Sequence, residues 1–141
     1  MKRYCLLGFL VLVFVVSFTA SALAKGDRLN PGEYMTPGNI LVSHNGKYIF
    51  MLQTDGNIVL RKVEKNGKKK VLWSSGTSKY NVTKLIMQHD GNLVLYLHRH
   101  ASWSTGTGGH PGAFLVVQDD GNVVIYTKDG KKPIWSTNTA Q

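Results

Sequence analysis

Three stretches of this chain carry the same polar residues at the same spacing: Gln53, Asp55 and Asn57; Gln88, Asp90 and Asn92; Gln118, Asp120 and Asn122. Two residues after each Asn stands a valine, Val59, Val94 or Val124. Two further on stands a tyrosine in the second and third copies, Tyr96 and Tyr126, and Arg61 in the first. Together these side chains offer amide donors, a carboxylate acceptor, a phenolic hydroxyl and a small apolar surface. A pyranose needs that combination: directional partners for adjacent hydroxyls and one apolar contact for its C–H face. About four hydrogen bonds at about 1 kcal/mol net each hold one sugar in the millimolar range, so useful affinity needs several sites on one glycan. A turn alone accounts for Asp-Gly-Asn, but not for the recurring Gln or Tyr.

The elements that position these residues repeat with them. The copies begin 35 and 30 residues apart, and each is followed by a second shared segment: Trp73-Ser74-Ser75-Gly76-Thr77, Trp103-Ser104-Thr105-Gly106-Thr107 and Trp135-Ser136-Thr137-Asn138-Thr139. Two segments recurring three times in the same order mark an internal repeat. Apolar runs precede each turn, Tyr48 to Leu52, Leu85 to Met87 and Phe114 to Val117. Asp-Gly-Asn then supplies residues that tolerate positive φ, and a second arm follows from Ile58, Leu93 or Val123. Along the second arm Val94 and Tyr96 share one face, and Leu93, Leu95 and Leu97 the other. No stretch after residue 24 sustains a 3.6-residue apolar period, so the reading is all-β. One indole per repeat predicts three rings buried together around a pseudo-threefold axis. The intervening loops, Glu64 to Lys70, His98-Arg99-His100 and Lys128 to Lys132, are basic and read as solvated hairpin tips.

Of 141 residues, 43% are apolar and 18% charged, which suits one small globular domain and excludes a disordered chain. Lys2 and Arg3, an apolar run to Val16 and the small-x-small Ala22-Leu23-Ala24 predict a secretory leader over residues 1–24. Its removal would leave residues 25–141 with 15 Lys and Arg, 8 Asp and Glu, a net charge of +7 instead of +9, and no cysteine, since the single one is Cys5. Disulfide scaffolds and Cys-based zinc sites are thereby excluded. An enzyme is not expected: three of the eight acidic residues sit in separate repeats, whereas a glycosidase needs two about 5–9.5 Å apart. His44, His89, His98, His100 and His110 read as exposed side chains, so neither metal nor cofactor is expected. The aromatic residues are claimed by the core and the sugar sites, which leaves nucleic acid without a stacking platform. Asn81-Val82-Thr83 is a glycosylation sequon.

Gln-x-Asp-x-Asn-x-Val-x-Tyr in triplicate with the Trp-Ser segments resembles the monocot mannose-binding (bulb-type, B-type) lectin family, over about Asp27 to Gln141. The resemblance implies a β-prism II fold, with three four-stranded antiparallel sheets around a pseudo-threefold axis, and mannose binding without metal. It implies that Gln meets mannose O3, Asp and Asn O2, Tyr O4, and Val the ring carbons. The implied sites are Gln88, Asp90, Asn92, Val94 and Tyr96, and Gln118, Asp120, Asn122, Val124 and Tyr126. A third, weakened by Arg61, is Gln53, Asp55, Asn57 and Val59. Gly56 and Thr83 stand where the disulfide cysteines of many plant members are expected. The family also implies a homodimer formed by exchange of C-terminal strands, here Lys132 to Ser136. The sequence itself predicts no membrane-spanning segment once the leader is cut. The alternative is an antimicrobial or bacteriocin-like interaction module on the same scaffold, with impaired sugar sites and basic loops acting on an anionic surface.

Overall fold

The computed structural model describes residues 24–79 and 81–141; apart from Ala24, the expected leader lies outside the described residues. Twelve strands and no helix form among them: β1 Arg28–Leu29, β2 Tyr34–Met35, β3 Ile40–Val42, β4 Tyr48–Leu52, β5 Ile58–Val63, β6 Lys69–Ser74, β7 Lys84–Met87, β8 Leu93–Leu97, β9 His100–Ser104, β10 Phe114–Val117, β11 Val123–Tyr126 and β12 Pro133–Ser136. They build three four-stranded sheets, in the orders β3-β4-β5-β6, β2-β7-β8-β9 and β1-β10-β11-β12. The strand pairs in these sheets are antiparallel. Three sheets of four strands, one per repeat, are the expected β-prism architecture.

Alternation decides which face turns inward. Phe50, Leu52, Ile58 and Leu60 of the first sheet are fully buried, as are Leu85, Met87, Leu93 and Leu95 of the second and Leu115, Ile125 and Val123 of the third. Each such side chain contributes roughly 2 kcal/mol of transfer free energy, so this aliphatic centre supplies most of the driving force. The N-terminal strands close the assembly. Successive short strands join different sheets, β1 the third, β2 the second and β3 the first. Residues 28–42 therefore stitch three repeats that otherwise follow one another along the chain.

The tryptophans meet as expected but are less buried than expected. Trp73 and Trp103, Trp73 and Trp135, and Trp103 and Trp135 make edge contacts with ring centroids 6.0, 5.7 and 6.2 Å apart. Trp73 also stacks on Phe50 at 6.4 Å. All three rings are only partly buried and pack against the aliphatic core rather than forming it. The reason is placement: each indole lies on the outermost strand of its sheet, β6, β9 or β12, with cover from one side only.

Each of these outer strands carries an irregularity at the same place. Leu60 pairs with Trp73 but Arg61 with Val71, which leaves Leu72 extra; Ser102 and Ile134 are the corresponding extra residues on β9 and β12. A bulge bends its strand and re-aims the neighbouring side chains. Here it sits beside Arg61, Tyr96 and Tyr126, the last positions of the polar signature. The tips differ in detail from expectation: Lys69 and Lys70 belong to β6 and His100 to β9, because pairing with β5 and β8 continues past the apolar residues. At the third tip the Asp129 carboxyl is held below its ordinary range, first by the Thr127 hydroxyl and then by the Lys131 backbone N–H.

Because Trp73 touches both other indoles and Phe50, Trp73→Ala is expected to cost about 3–5 kcal/mol, a loss to be read from urea unfolding of the variant beside the parent chain.

Candidate functional site

Each signature begins at the end of an inner strand and folds back at once. In the second copy the Gly91 N–H donates to the Gln88 carbonyl at 3.1 Å, and the Gln88 N–H to the Asn92 carbonyl at 2.9 Å. The first and third copies close in the same way. Residue type allows all of Asp-Gly-Asn a positive φ, but only the glycines take it: Gly56, Gly91 and Gly121 lie at 90°, 92° and 90°. At Gly91 a Cβ would also collide with the His110 carbonyl oxygen, so no other residue fits. The aspartate braces the turn. One carboxylate oxygen of Asp55, Asp90 and Asp120 accepts the backbone N–H of Asn57, Asn92 and Asn122, each at 2.9 Å. All three aspartates are exposed, and their second oxygens have no protein partner among the described residues.

The asparagine is held by the segment after the tryptophan. Asn92 Oδ1 accepts from the Thr107 N–H at 3.1 Å and from the Thr105 hydroxyl at 3.3 Å. Asn57 is held likewise by Thr77 and Ser75, and Asn122 by Thr139 and Thr137. The hydroxyls continue as a chain: the single Thr105 proton is shared between Asn92 Oδ1 and the Thr107 hydroxyl at 2.7 Å, and Thr107 donates to the Gly91 carbonyl at 2.6 Å. The other repeats reproduce both bonds. With Oδ1 so occupied, each Asn presents its Nδ2 group, which has no protein partner among the described residues. This role of Ser75, Thr105, Thr137 and the threonines two positions on was not read from the sequence. The recurrence of a hydroxyl two and four residues after each Trp was the signal for it.

The remaining members complete a shallow surface on the outward face of each sheet. Gln88 Nε2 donates to the Tyr96 hydroxyl at 2.6 Å, and Gln118 to Tyr126 at 2.5 Å. In the first copy, with the Gln53 amide turned to satisfy its neighbours, its oxygen accepts from the two terminal Arg61 nitrogens at 2.6 and 3.1 Å and its nitrogen donates to Asp55 at 3.1 Å. Arg61 thus stands in the tyrosine's place toward Gln. Val59, Val94 and Val124 form the floor and are only 3%, 3% and 2% exposed, so each offers a sugar little more than a point of contact. The surroundings differ between copies. Lys84 lies over the Tyr96 and Tyr34 rings at 5.8 and 5.9 Å, whereas Phe114 packs beside Tyr126 at 6.0 Å with Arg28 over it.

The structure therefore joins Gln, Asp, Asn, Val and Tyr within each of the second and third repeats, and Gln, Asp, Asn, Val and Arg in the first. It does not join one repeat's set to another's. Of the histidines, His110 departs from the exposed reading: it is half-buried, and its Nδ1 donates to the Thr107 carbonyl at 3.0 Å. Among the described residues no three His, Cys, Asp or Glu side chains gather as a metal would require. Replacing Thr107 by valine keeps the shape but strips the Gly91 carbonyl and Thr105 of a buried partner. Thr107→Val is expected to lower stability by about 1–3 kcal/mol in urea unfolding, while Ser78→Ala, which removes an exposed hydroxyl, stays within about 0.5 kcal/mol of the parent.

No family model matches the chain. A mannose-specific lectin of Narcissus pseudonarcissus is 39% identical over 75 residues, which cover 52% of this chain and 57% of that protein. The chain thus spans about half the length of the curated relatives it matches. Similarity to solved structures runs further. A lectin from Marasmius oreades superposes with a TM-score of 0.71 and 35% identity, over 83% of this chain and 95% of its own. A monomeric monocot mannose-binding lectin from Gastrodia elata gives 0.68 and 37%, over 82% and 99%. With the three sheets, the three turns and these likenesses in agreement, the chain belongs to the monocot mannose-binding (bulb-type) lectin family.

Proposed function

We propose that this protein is a secreted, non-enzymatic lectin that binds mannose-containing glycans without a metal ion. The single observation that carries this is the set of three outward-facing Asn Nδ2 groups, each fixed by the bonds on its own Oδ1 and flanked by an unpartnered Asp oxygen. A donor and an acceptor held side by side in this way match the two roles of a sugar hydroxyl. The names of the Narcissus and Gastrodia relatives support mannose as the sugar. The binding residues are Gln88, Asp90, Asn92 and Tyr96, with Val94 as floor, and Gln118, Asp120, Asn122 and Tyr126, with Val124 as floor. Gln53, Asp55, Asn57 and Val59 form a third site altered by Arg61. Each surface is shallow, so avidity comes from several sites on one glycan and from pairing of two chains through their C-terminal strands.

The rival reading, a basic module acting on anionic surfaces with silent sugar sites, draws on the charge of +7 carried by residues 25–141. A high-mannose glycan array with free mannose as competitor separates the two. Because Asp90 and Asp120 brace their own turns, asparagine is a better probe than alanine: it keeps the braced oxygen and replaces the free one by a donor. Combined Asp90→Asn and Asp120→Asn is expected to reduce array binding at least tenfold with unchanged folding. Binding to anionic surfaces that falls with salt and ignores mannose would support the rival instead.

A further inference from the structure

Seven basic side chains against two acidic ones fall between residues 47 and 70, a surplus of five in a chain of net charge +9. Sheet register sorts them by face. Arg61 stands opposite Ile49 on β4 and Val71 on β6, and Val63, two residues on, stands opposite Lys69. The Val63 N–H donates to the Lys47 carbonyl at 2.8 Å, which places Lys47 at the other end of that row. Directly opposed residues share a face, and diagonal neighbours lie roughly 7–8 Å apart. Lys47, Arg61 and Lys69 therefore form a cationic triangle on the face that carries Gln53, Asp55, Asn57 and Val59.

None of the three is ion-paired to a carboxylate among the described residues; the ion pair found there is Arg28 with Asp27. At the hairpin end of this sheet opens a concavity of about 530 Å³, to which Lys47 alone of the triangle contributes, beside Lys62, Glu64, Lys65, Asn66 and Lys68. The other two sites carry fewer cations at this end: Tyr96 faces Lys84 and Ala101, and Tyr126 faces Phe114 and Pro133, with Arg28 over Phe114. Asp55 sits at the opposite end of the first site, so a ligand's negative group is repelled there and drawn toward Arg61. With its two terminal nitrogens on one Gln53 oxygen, the guanidinium keeps further N–H donors, which suit the oxygens of an ester anion.

We propose that the first site is specific for a hexose bearing an anionic ester, phosphate or sulfate, with ring hydroxyls on Gln53, Asp55 and Asn57 and the ester on Arg61, Lys47 and Lys69. This rests on the sugar-binding reading of the repeat. The test is an amide-resolved NMR titration of the purified chain with methyl mannoside, mannose 6-phosphate, mannose 6-sulfate and inorganic phosphate. Signals of residues 53–61 are expected to respond to the sugar phosphate at about tenfold lower concentration than to the neutral mannoside, and signals of 88–96 and 118–126 to show no such preference. Arg61→Tyr should abolish the difference, and raised salt should shrink it. Comparison of the phosphate and sulfate arms tells which ester is preferred. Equal response of all three sites to the sugar phosphate would overturn the inference, as would inorganic phosphate or anionic vesicles binding the first site as well as the sugar ester does. If the neutral mannoside leaves the second and third sites unmoved while mannose 6-phosphate still selects the first, the inference stands and the mannose reading falls.

Discussion

The carbonyl oxygen of one asparagine side chain per repeat is the point on which the rest depends. Asn57, Asn92 and Asn122 each accept a backbone N–H and a hydroxyl from the segment that follows the tryptophan. A side chain bound twice through its oxygen has one rotamer, and its nitrogen one direction. The ordering cost of the amide is therefore met on folding, before any ligand arrives. The same bonds tie the hairpin turn to the outer strand whose indole packs against the aliphatic core. Core and surface share one set of contacts, and damage to either is felt by both.

That arrangement explains what a reader of the chain sees and what stays hidden. The hairpins and the all-β class show plainly because Gln-x-Asp-Gly-Asn recurs and Leu93, Leu95 and their counterparts alternate with outward residues. β1 and β2 stay hidden because Arg28–Leu29 and Tyr34–Met35 are too short to show any period, and only the sheets they complete give them meaning. The bulges at Leu72, Ser102 and Ile134 leave no mark in residue type, since an aliphatic, a hydroxyl and another aliphatic side chain all serve as the extra residue. The spacing of the tryptophans places them together correctly, but they are not sealed in as expected, because nothing in that spacing says that they lie on outer strands. Within the site, Gln, Asp, Asn and Tyr were legible as a set. The hydroxyl pairs that hold Asn were visible as a recurrence whose purpose needed coordinates.

Threefold likeness of backbone does not make three equal surfaces. The sheets share turn, brace and asparagine lock, but Lys84 and Tyr34 flank the second copy, Arg28 and Phe114 the third, and a lysine-bordered hairpin the first. Scaffold residues set the geometry and their neighbours set the taste of each site, as grafted function on a common fold requires. Arg61 shows how little the scaffold resists such change: it meets Gln53 where tyrosine meets Gln88, and the turn beneath keeps the same closing bonds.

If the locked asparagine amides are donors for sugar hydroxyls, the side-chain NH₂ resonances of Asn92 and Asn122 must respond as methyl mannoside is added. Saturable shifts in the millimolar range are expected at these NH₂ groups, with the backbone amides of Thr107 and Thr139 barely moved, because the lock is already closed. Side-chain NH₂ signals that ignore the mannoside at every concentration, in a chain that remains folded, would contradict that role.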